Sequence, residues 1–385
     1  MPHQPHIIFT VTNDLVFDQR MHRICTTLSD VGYKVTLVGR LMPDSPKLTP
    51  KKFEQIRLKL NFHSGKLFYI QYNLRLYRFL RRQKADAICA IDLDTIVPVY
   101  YAAKKLKCIK ALDAHEYFTE MNEIKRRPGI YKIWHWVERR FMPEFHNGYT
   151  VGYAIANSFK NIYNLDYEVV RNMPLKNPNT QPNPDALQQA VDLIDHFNRN
   201  TDSSLPVIMY QGAVNEARGL IQLIDAMKNI PARLIIAGTG NTFEETHAHL
   251  TQQNLGHKII MTGNIRPEVL KHLTNHCYIG INLVENTGLN QYYSLANKYF
   301  DYIMASKPQV SMNYPEYKRV NDTYDIALLI DNVEVPAIEN AINQLLNNAA
   351  LYQRLANNCI NAASQLNWEK ESEKLVTFWK SILPA

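Results

Sequence analysis

A lysine and a carboxylate stand three residues apart in the stretch Ser294-Leu295-Ala296-Asn297-Lys298-Tyr299-Phe300-Asp301-Tyr302, which runs on through Ile303-Met304-Ala305-Ser306-Lys307-Pro308. Asn297 is a good helix N-cap, so Lys298 falls in the first turn, where free backbone N–H groups and the helix dipole favour an anion such as a diphosphate. Asp301, one turn past Asn297, lies on the same face and can accept hydrogen bonds from ribose hydroxyls. Pro308 closes the helix and restarts the chain as a short strand through Gln309-Val310. The same letters also fit an amphipathic surface helix with Phe300, Ile303 and Met304 in the core and both charges solvated, so the segment needs support from elsewhere in the chain.

Other segments supply it. Met209-Tyr210-Gln211-Gly212-Ala213-Val214 leads through Asn215-Glu216-Ala217 to Arg218-Gly219-Leu220, a strand, a short loop and a helix start, with Arg218 at the helix entrance. Ile235-Ile236-Ala237-Gly238-Thr239-Gly240 is a strand running into glycines, where a ligand can approach the backbone closely. Met261-Thr262-Gly263-Asn264-Ile265 repeats that arrangement one unit later, although glycines at such places also simply make tight turns. The polar loop Glu285-Asn286-Thr287-Gly288-Leu289-Asn290-Gln291-Tyr292-Tyr293 can wrap a sugar. Earlier, Ala111-Leu112-Asp113-Ala114-His115-Glu116 ends a strand and sets His115 at its carboxyl end, where an imidazole can meet a substrate hydroxyl or a developing charge. Asp113 and Glu116 read as residues that orient that loop. Between Thr12 and Arg23, Asp18 and Arg20 are available to acceptor hydroxyls or phosphate, with capping of the helix from Gln19 as the structural reading of Asp18.

The elements that must position these groups alternate. The pattern predicts strand Ile7–Val11, helix Arg20–Val31, strand Lys34–Gly39, strand Ala87–Ile91, a helix through Val97–Leu106 and strand Lys110–Asp113. After Arg171-Asn172-Met173-Pro174 and the Pro/Asn-rich linker Lys176–Pro184 comes a helix through Asp185–Asn198. A second series follows: strand Val207–Gln211, helix Leu220–Lys228, strand Arg233–Ala237, helix Thr242–Gln253, strand Lys258–Thr262, helix Pro267–Thr274 and strand Ile279–Leu283. Alternation of this kind implies two α/β doubly wound domains with mostly parallel sheets, and a ligand at the carboxyl ends of their strands, in the cleft between them.

The chain has 385 residues, 46% of them hydrophobic, enough for two ordinary globular domains. Its five cysteines are scattered without C-x-x-C spacing, which suggests neither a disulfide framework nor a metal knuckle and fits a reducing cytoplasm. No stretch approaches a membrane span. Residues 1–172 hold 27 Lys and Arg against 16 Asp and Glu, a surplus of 11, whereas the remainder is acidic by 4. Arg75, Arg78, Arg81, Arg82 and Lys84, interleaved with Leu74, Leu76, Tyr77, Phe79 and Leu80, form a basic amphipathic stretch suited to an anionic membrane surface, or else a solvated face. Lys125, Arg126, Arg127 and Lys132 add a second basic cluster, and no nucleic-acid motif accompanies either.

The Ser294–Pro308 segment resembles the donor-site signature of GT-B glycosyltransferases, family 4, an S-x-x-N-K-x-F-E-Y-x-x-x-x-K-P pattern in which Asp301 here replaces the usual Glu. That family also carries a G-R/K-x…K/R-G-x-x-x-L loop whose second basic residue binds the donor diphosphate. Arg218 takes that second place, and Gly212-Ala213 stands where the first arginine is common. The first acid of the family's E-x7-E pair is absent, Tyr293 occupying its position, with Glu285 as the nearest substitute. Asp113-Ala114-His115-Glu116 is similar to the D-x-H-E segment whose histidine lies near the donor sugar. The Asn13-Asp14…Asp18-Gln19-Arg20 form resembles cell-surface polysaccharide enzymes of the group 1 type.

The resemblance implies the GT-B fold, two Rossmann-like domains facing across a cleft: an acceptor domain at 1–172, a nucleotide-sugar donor domain at 173–365, and a C-terminal helix at 366–385 that packs back on the first. It assigns catalytic roles to His115, Arg218 and Lys298, and donor binding to Gly212, Gly238, Gly240, Asn264, Ile265, Asn290, Asn297 and Asp301. Asp18 and Arg20 fall on the acceptor side. No metal is implied, the one D-x-D, Asp92-Leu93-Asp94, lying early in the first domain. The implied activity is a retaining, metal-independent transfer of a hexosyl unit from a UDP- or GDP-linked sugar, a co-substrate rather than a cofactor. The implied acceptor is a glycan or lipid-linked glycan in cell-surface polysaccharide synthesis, at the cytoplasmic face of the membrane. Arg218 and Lys298 would meet the charge on the departing diphosphate. No carboxylate nucleophile is evident, so internal return on one sugar face fits better than a paired-carboxylate scheme. Two alternatives stay open: a nucleotide-sugar epimerase on the same fold, and a catalytically silent nucleotide-sugar-binding subunit, which the missing arginine and acid favour.

Overall fold

The computed structural model describes residues 3–16, 18–176 and 183–384, so most of the Lys176–Pro184 linker lies outside the described residues. Contacts divide the chain into two units. One comprises residues up to Asn172, the short segment Gly288–Asn290 and everything from Trp368 on; the other comprises Met173–Thr287 and Gln291–Asn367.

The first unit is built on strands β1 (His6–Thr10), β2 (Lys34–Arg40), β3 (Glu54–Leu58), β4 (Ala87–Ile91), β5 (Ile109–Ala114), β6 (Asn147–Thr150) and β7 (Glu168–Val169). They pair in parallel in the order β3-β2-β1-β4-β5-β6-β7. Every residue of β1 and β4 is buried, as strands covered by helices on both faces require. The order reverses between β1 and β4, and the loops leaving those two strands are where a doubly wound sheet opens a crevice. The helix Gln19–Asp30 starts on Asp18, whose Oδ1 accepts the Met21 N–H at 2.9 Å, so the capping reading of Asp18 is the one the geometry shows.

The last helix, Trp368–Ile382, belongs to this unit. Trp368 Nε1 donates to Thr27 Oγ1 at 3.0 Å, the Glu371 carboxylate accepts the Arg171 N–H at 2.8 Å, and the Trp379 ring meets Phe9 edge-on at 5.6 Å. Tyr33 OH donates to the Leu383 carbonyl at 2.6 Å.

The second unit carries β8 (Val207–Gln211), β9 (Arg233–Ala237), β10 (Ile259–Gly263), β11 (Ile279–Asn282), β12 (Gln309–Met312) and β13 (Ala327–Ile330), all parallel in the order β10-β9-β8-β11-β12-β13. Here the reversal falls between β8 and β11. The helix Asn297–Met304 is seated over that reversal. Tyr302 lies so close to Gly280 of β11 that a Cβ there would stand 2.4 Å from its ring, and its hydroxyl donates to the Met209 carbonyl of β8 at 2.9 Å. Glycine at 280 thus lets the helix approach the sheet, and the tyrosine fixes where it stops.

Two details of that helix differ from the sequence expectation. Its N-cap position is Ala296, with Asn297 already inside the first turn and exposed. The entry is held instead by Tyr317, whose hydroxyl accepts the Ala296 N–H at 3.0 Å. The helix also ends before Pro308. Ser306 adopts φ +58, and the Lys307 N–H returns to the Tyr302 carbonyl at 2.9 Å, a left-handed stop that leaves Pro308 only to lead into β12.

Candidate functional site

In the second unit the strand-end turns gather at one edge. The Gly212 N–H donates to the Ala237 carbonyl and the Gly238 N–H to the Gly263 carbonyl, both at 2.9 Å, lacing the ends of β8, β9 and β10 together. Gly238 has φ +144, and a Cβ on it would fall 1.9 Å from the Gly212 oxygen, so only glycine fits. At Gly240 the added atom would sit 2.2 Å from the Val214 carbonyl oxygen. These glycines therefore shape the loop by packing backbone on backbone. Gly212 itself, at φ +122, is exposed and faces Lys298: a side chain there would begin 3.9 Å from the ammonium.

Lys298 is the electrostatic outlier. Only 8% exposed, its Nζ has no hydrogen-bond or ion-pair partner among the described residues. It lies over the face of Tyr210, with the ring centroid 3.7 Å away. Burial, and then the nearby Arg218 guanidinium, push the lysine pKa well below its usual value. Arg218 is half-buried between two left-handed residues, Ala217 at φ +60 and Gly219 at φ +62, which present it at the helix entrance. Two neighbouring cations, one of them buried with no acid to meet it, make a site that lacks an anion.

Asp301, three residues on, is oriented from the same strand. Gln211 Nε2 donates to Asp301 Oδ2 at 2.9 Å, while Gln211 Oε1 accepts from Thr274 Oγ1 at 2.6 Å. Gln211 is buried and Asp301 half-buried, so one carboxylate oxygen is committed to the strand end. Asn264 is exposed beside β10; the half-buried Ile265 packs on the core formed by Met209, Ile235, Val269 and Leu273.

The first unit collects a second set at the ends of β4 and β5. Asp113, wholly buried, takes a hydrogen bond from Arg20 Nη2 at 2.9 Å and lies 3.0 Å from His115 Nε2. Burial opposes the imidazolium, but the Asp113 carboxylate outweighs it and the His115 pKa stands above its usual value. Burial likewise works against the Asp113 charge, and Arg20 with His115 holds its pKa down. Arg20 is 5% exposed, so its charge goes to Asp113 inside the unit rather than outward to an acceptor, the place the sequence suggested. Asp18 is occupied by its cap and by a hydrogen bond from Asn13 Nδ2 at 2.9 Å.

The D-x-D acids have structural partners too. Asp92, at φ +53, accepts the His115 N–H at 2.7 Å, and Asp94 accepts the Thr12 hydroxyl at 2.9 Å. Burial raises Asp92 to about 7 and Asp94 to about 6. Asn290 groups with this unit: its side-chain oxygen accepts the Tyr117 N–H at 2.9 Å and its Nδ2 donates to Glu116 at 3.3 Å.

Sequence reasoning thus named Lys298 and Arg218, which the structure places near one another, and Asp301 on the same helix as Lys298, but passed over Tyr210 and Gln211, which touch Lys298 and Asp301. The signal was faint: a glutamine at the last position of the otherwise apolar strand Val-Ile-Met-Tyr-Gln.

Residues 192–364 match the family described as glycosyl transferases group 1. Among solved structures, sucrose-phosphate synthase from Thermosynechococcus elongatus superposes with a TM-score of 0.79 at 14% identity, covering 98% of this chain and 99% of that one. HepE from Anabaena, in complex with UDP and glucose, gives 0.77 at 14% identity over 98% and 100% of the two chains. WaaG, a glycosyltransferase involved in lipopolysaccharide biosynthesis, gives 0.72 at 13% identity over 98% and 100%. At such identities the likeness speaks for the fold. Among curated proteins none matches.

An ammonium buried without an acceptor costs stability that an apolar side chain of similar shape does not. Lys298→Met is therefore expected to keep or raise the free energy of unfolding measured in urea, by up to about 1 kcal/mol, while weakening diphosphate binding at least about tenfold. A clear loss of stability in that variant would show that the lysine serves the fold.

Proposed function

Taking the chain as a group 1 glycosyl transferase with the GT-B fold, we propose that it moves a hexosyl unit, with retention and without a metal, from a nucleoside diphosphate sugar to a glycan or lipid-linked glycan of the cell surface. The observation that carries this reading is the unpartnered Lys298 ammonium beside Arg218. A diphosphate brings the missing negative charge, and it gains more of it as the glycosidic C–O bond breaks. Lys298, Arg218 and the open Gly212-Ala213 backbone would bind the phosphates, and the Asp301 carboxylate, steadied by Gln211, would accept a ribose hydroxyl. His115, whose pKa the Asp113 carboxylate raises, would donate to a sugar hydroxyl. The acceptor oxygen then bonds to the anomeric carbon on the face the diphosphate leaves, and its proton passes to the departing phosphate oxygen. Retention is read from the anomeric proton of the transferred sugar; an inverted configuration overturns it.

The UDP and glucose in the HepE complex support a uridine nucleotide as the first donor to try. Calorimetric titration with UDP, GDP and ADP is expected to find one that binds, with Arg218→Ala and Lys298→Ala each weakening it about tenfold or more. Absence of binding by the wild type to all three would sink the donor site.

Contact with an anionic membrane is supported by the surface of the first unit. The helix Gly65–Leu80 turns Phe68, Tyr72, Leu76 and Leu80 inward and leaves Leu67, Ile70 and Leu74 more than half exposed, near Lys66 and Arg78. The helix Pro128–Phe141, joined to it by the Tyr69–Trp134 ring contact at 5.4 Å, exposes Ile133 and Trp136 among Lys132, Arg139 and Arg140. Apolar residues framed by cations suit an anionic interface. No helix of the described residues is long and apolar enough to cross a membrane. The protein is expected to sediment with vesicles containing phosphatidylglycerol at low ionic strength and to be largely released by salt at about 1 M, where surface charges are screened. Equal recovery with neutral phosphatidylcholine vesicles would contradict an electrostatic contact.

A further inference from the structure

We propose that Tyr210 is a positioning residue whose ring face holds the Lys298 ammonium beside the Gly212-Ala213 loop until a nucleoside diphosphate takes over the charge. The inference rests on the diphosphate reading of this site and adds to it the group that keeps the lysine in place before the ligand arrives.

A lysine side chain is a flexible four-carbon stem ending in a strongly hydrated point charge, and left to itself it turns toward water. Lys298 does not: it is buried, with its Nζ 3.7 Å from the Tyr210 ring centroid and no acceptor within reach among the described residues. The negative face of the Tyr210 ring favours the cation. Arg218, the charged neighbour that acts on both Lys298 and Tyr210, opposes it.

The ring is itself fixed. Tyr210 is wholly buried, and its hydroxyl donates to the Ala213 carbonyl at 2.7 Å. One side chain therefore ties together the ammonium and the loop that faces it. The residues on either side of Tyr210 are held as well, Met209 through its carbonyl by Tyr302 and Gln211 by Asp301 and Thr274. With Gly212-Ala213 supplying no cation, Lys298 and Arg218 are the positive charge available here, and a misplaced Lys298 would forfeit half of it. A phosphate oxygen makes a charge-assisted hydrogen bond, which is stronger than the ring contact, so the ligand can draw the ammonium away from the ring.

The test uses the full chain and needs two arms. In the first, protein labelled with 13C at lysine Cε is observed by NMR, and the Lys298 signal is identified by its absence from Lys298→Met. Its ε protons are expected upfield of the other lysines through the ring current of Tyr210, and to move downfield when the nucleotide that binds, UDP, GDP or ADP, is added. In the second, Tyr210→Met, which removes the ring face at similar volume, is expected to weaken nucleotide binding about tenfold. Tyr210→Phe, which keeps the face, is expected to recover most of that loss, and Tyr210→Met should add nothing in a Lys298→Met background. An unshifted Lys298 signal, equal losses in Phe and Met, or losses that multiply with Lys298→Met would overturn the role of Tyr210. If Tyr210→Met does not fold, the NMR arm on the wild type decides alone. Failure of the wild type to bind any of the three nucleotides sinks the diphosphate reading itself, whatever the Lys298 signal shows.

Discussion

A lysine side chain taken out of water without an acid to meet it is costly, and the surrounding structure is what keeps it there. The helix that carries Lys298 is pressed onto the sheet through Gly280 and Tyr302, and its entry is held by Tyr317 rather than by a capping side chain. The strand end beneath it offers an aromatic face and an amide in place of a carboxylate. The glycine turns add backbone and no bulk. Each of these choices leaves room and potential for an anion, and none of them supplies one.

The first unit handles charge differently. Arg20 and His115 share the Asp113 carboxylate in the interior, and Asp92 ties the His115 backbone to the end of the neighbouring strand. That network positions one imidazole and raises its pKa, at the expense of the freedom of Arg20. The contrast has chemical sense for the transfer proposed above: a site for a multiply charged leaving group needs unspent cations, whereas a site for neutral sugar hydroxyls needs oriented donors.

How much of this was legible in the sequence follows from the physics of each element. Fully buried strands such as β1, β4, β8 and β9 are apolar runs bounded by turn residues, and their positions could be read to within a residue or so. The edge strand β3, Glu-Gln-Ile-Arg-Leu, and the four-residue β6, Asn-Gly-Tyr-Thr, carry no such run and are strands because a neighbour pairs with them. At the site, Lys298 and Arg218 stood out because a cation at a helix start opposes the helix dipole unless an anion joins it, and Asp301 because it follows Lys298 on the same helix. Asn297 misled because a good cap residue one position late looks the same in sequence as one in place. Arg20 misled because its partner, Asp113, is 93 residues away, and a long-range ion pair leaves no local pattern. Tyr210 and Gln211 could not be assigned for the same reason: their roles exist only once the Asn297–Met304 helix is laid across β8.

The most direct measurement is a crystal structure of the protein with the nucleoside diphosphate it binds. The account predicts phosphate oxygens within hydrogen-bond distance of Lys298 Nζ and Arg218, with the Lys298 ammonium displaced from the face of Tyr210 and a ribose hydroxyl at Asp301. A nucleotide bound elsewhere, with Lys298 still unpartnered against the ring, would contradict it.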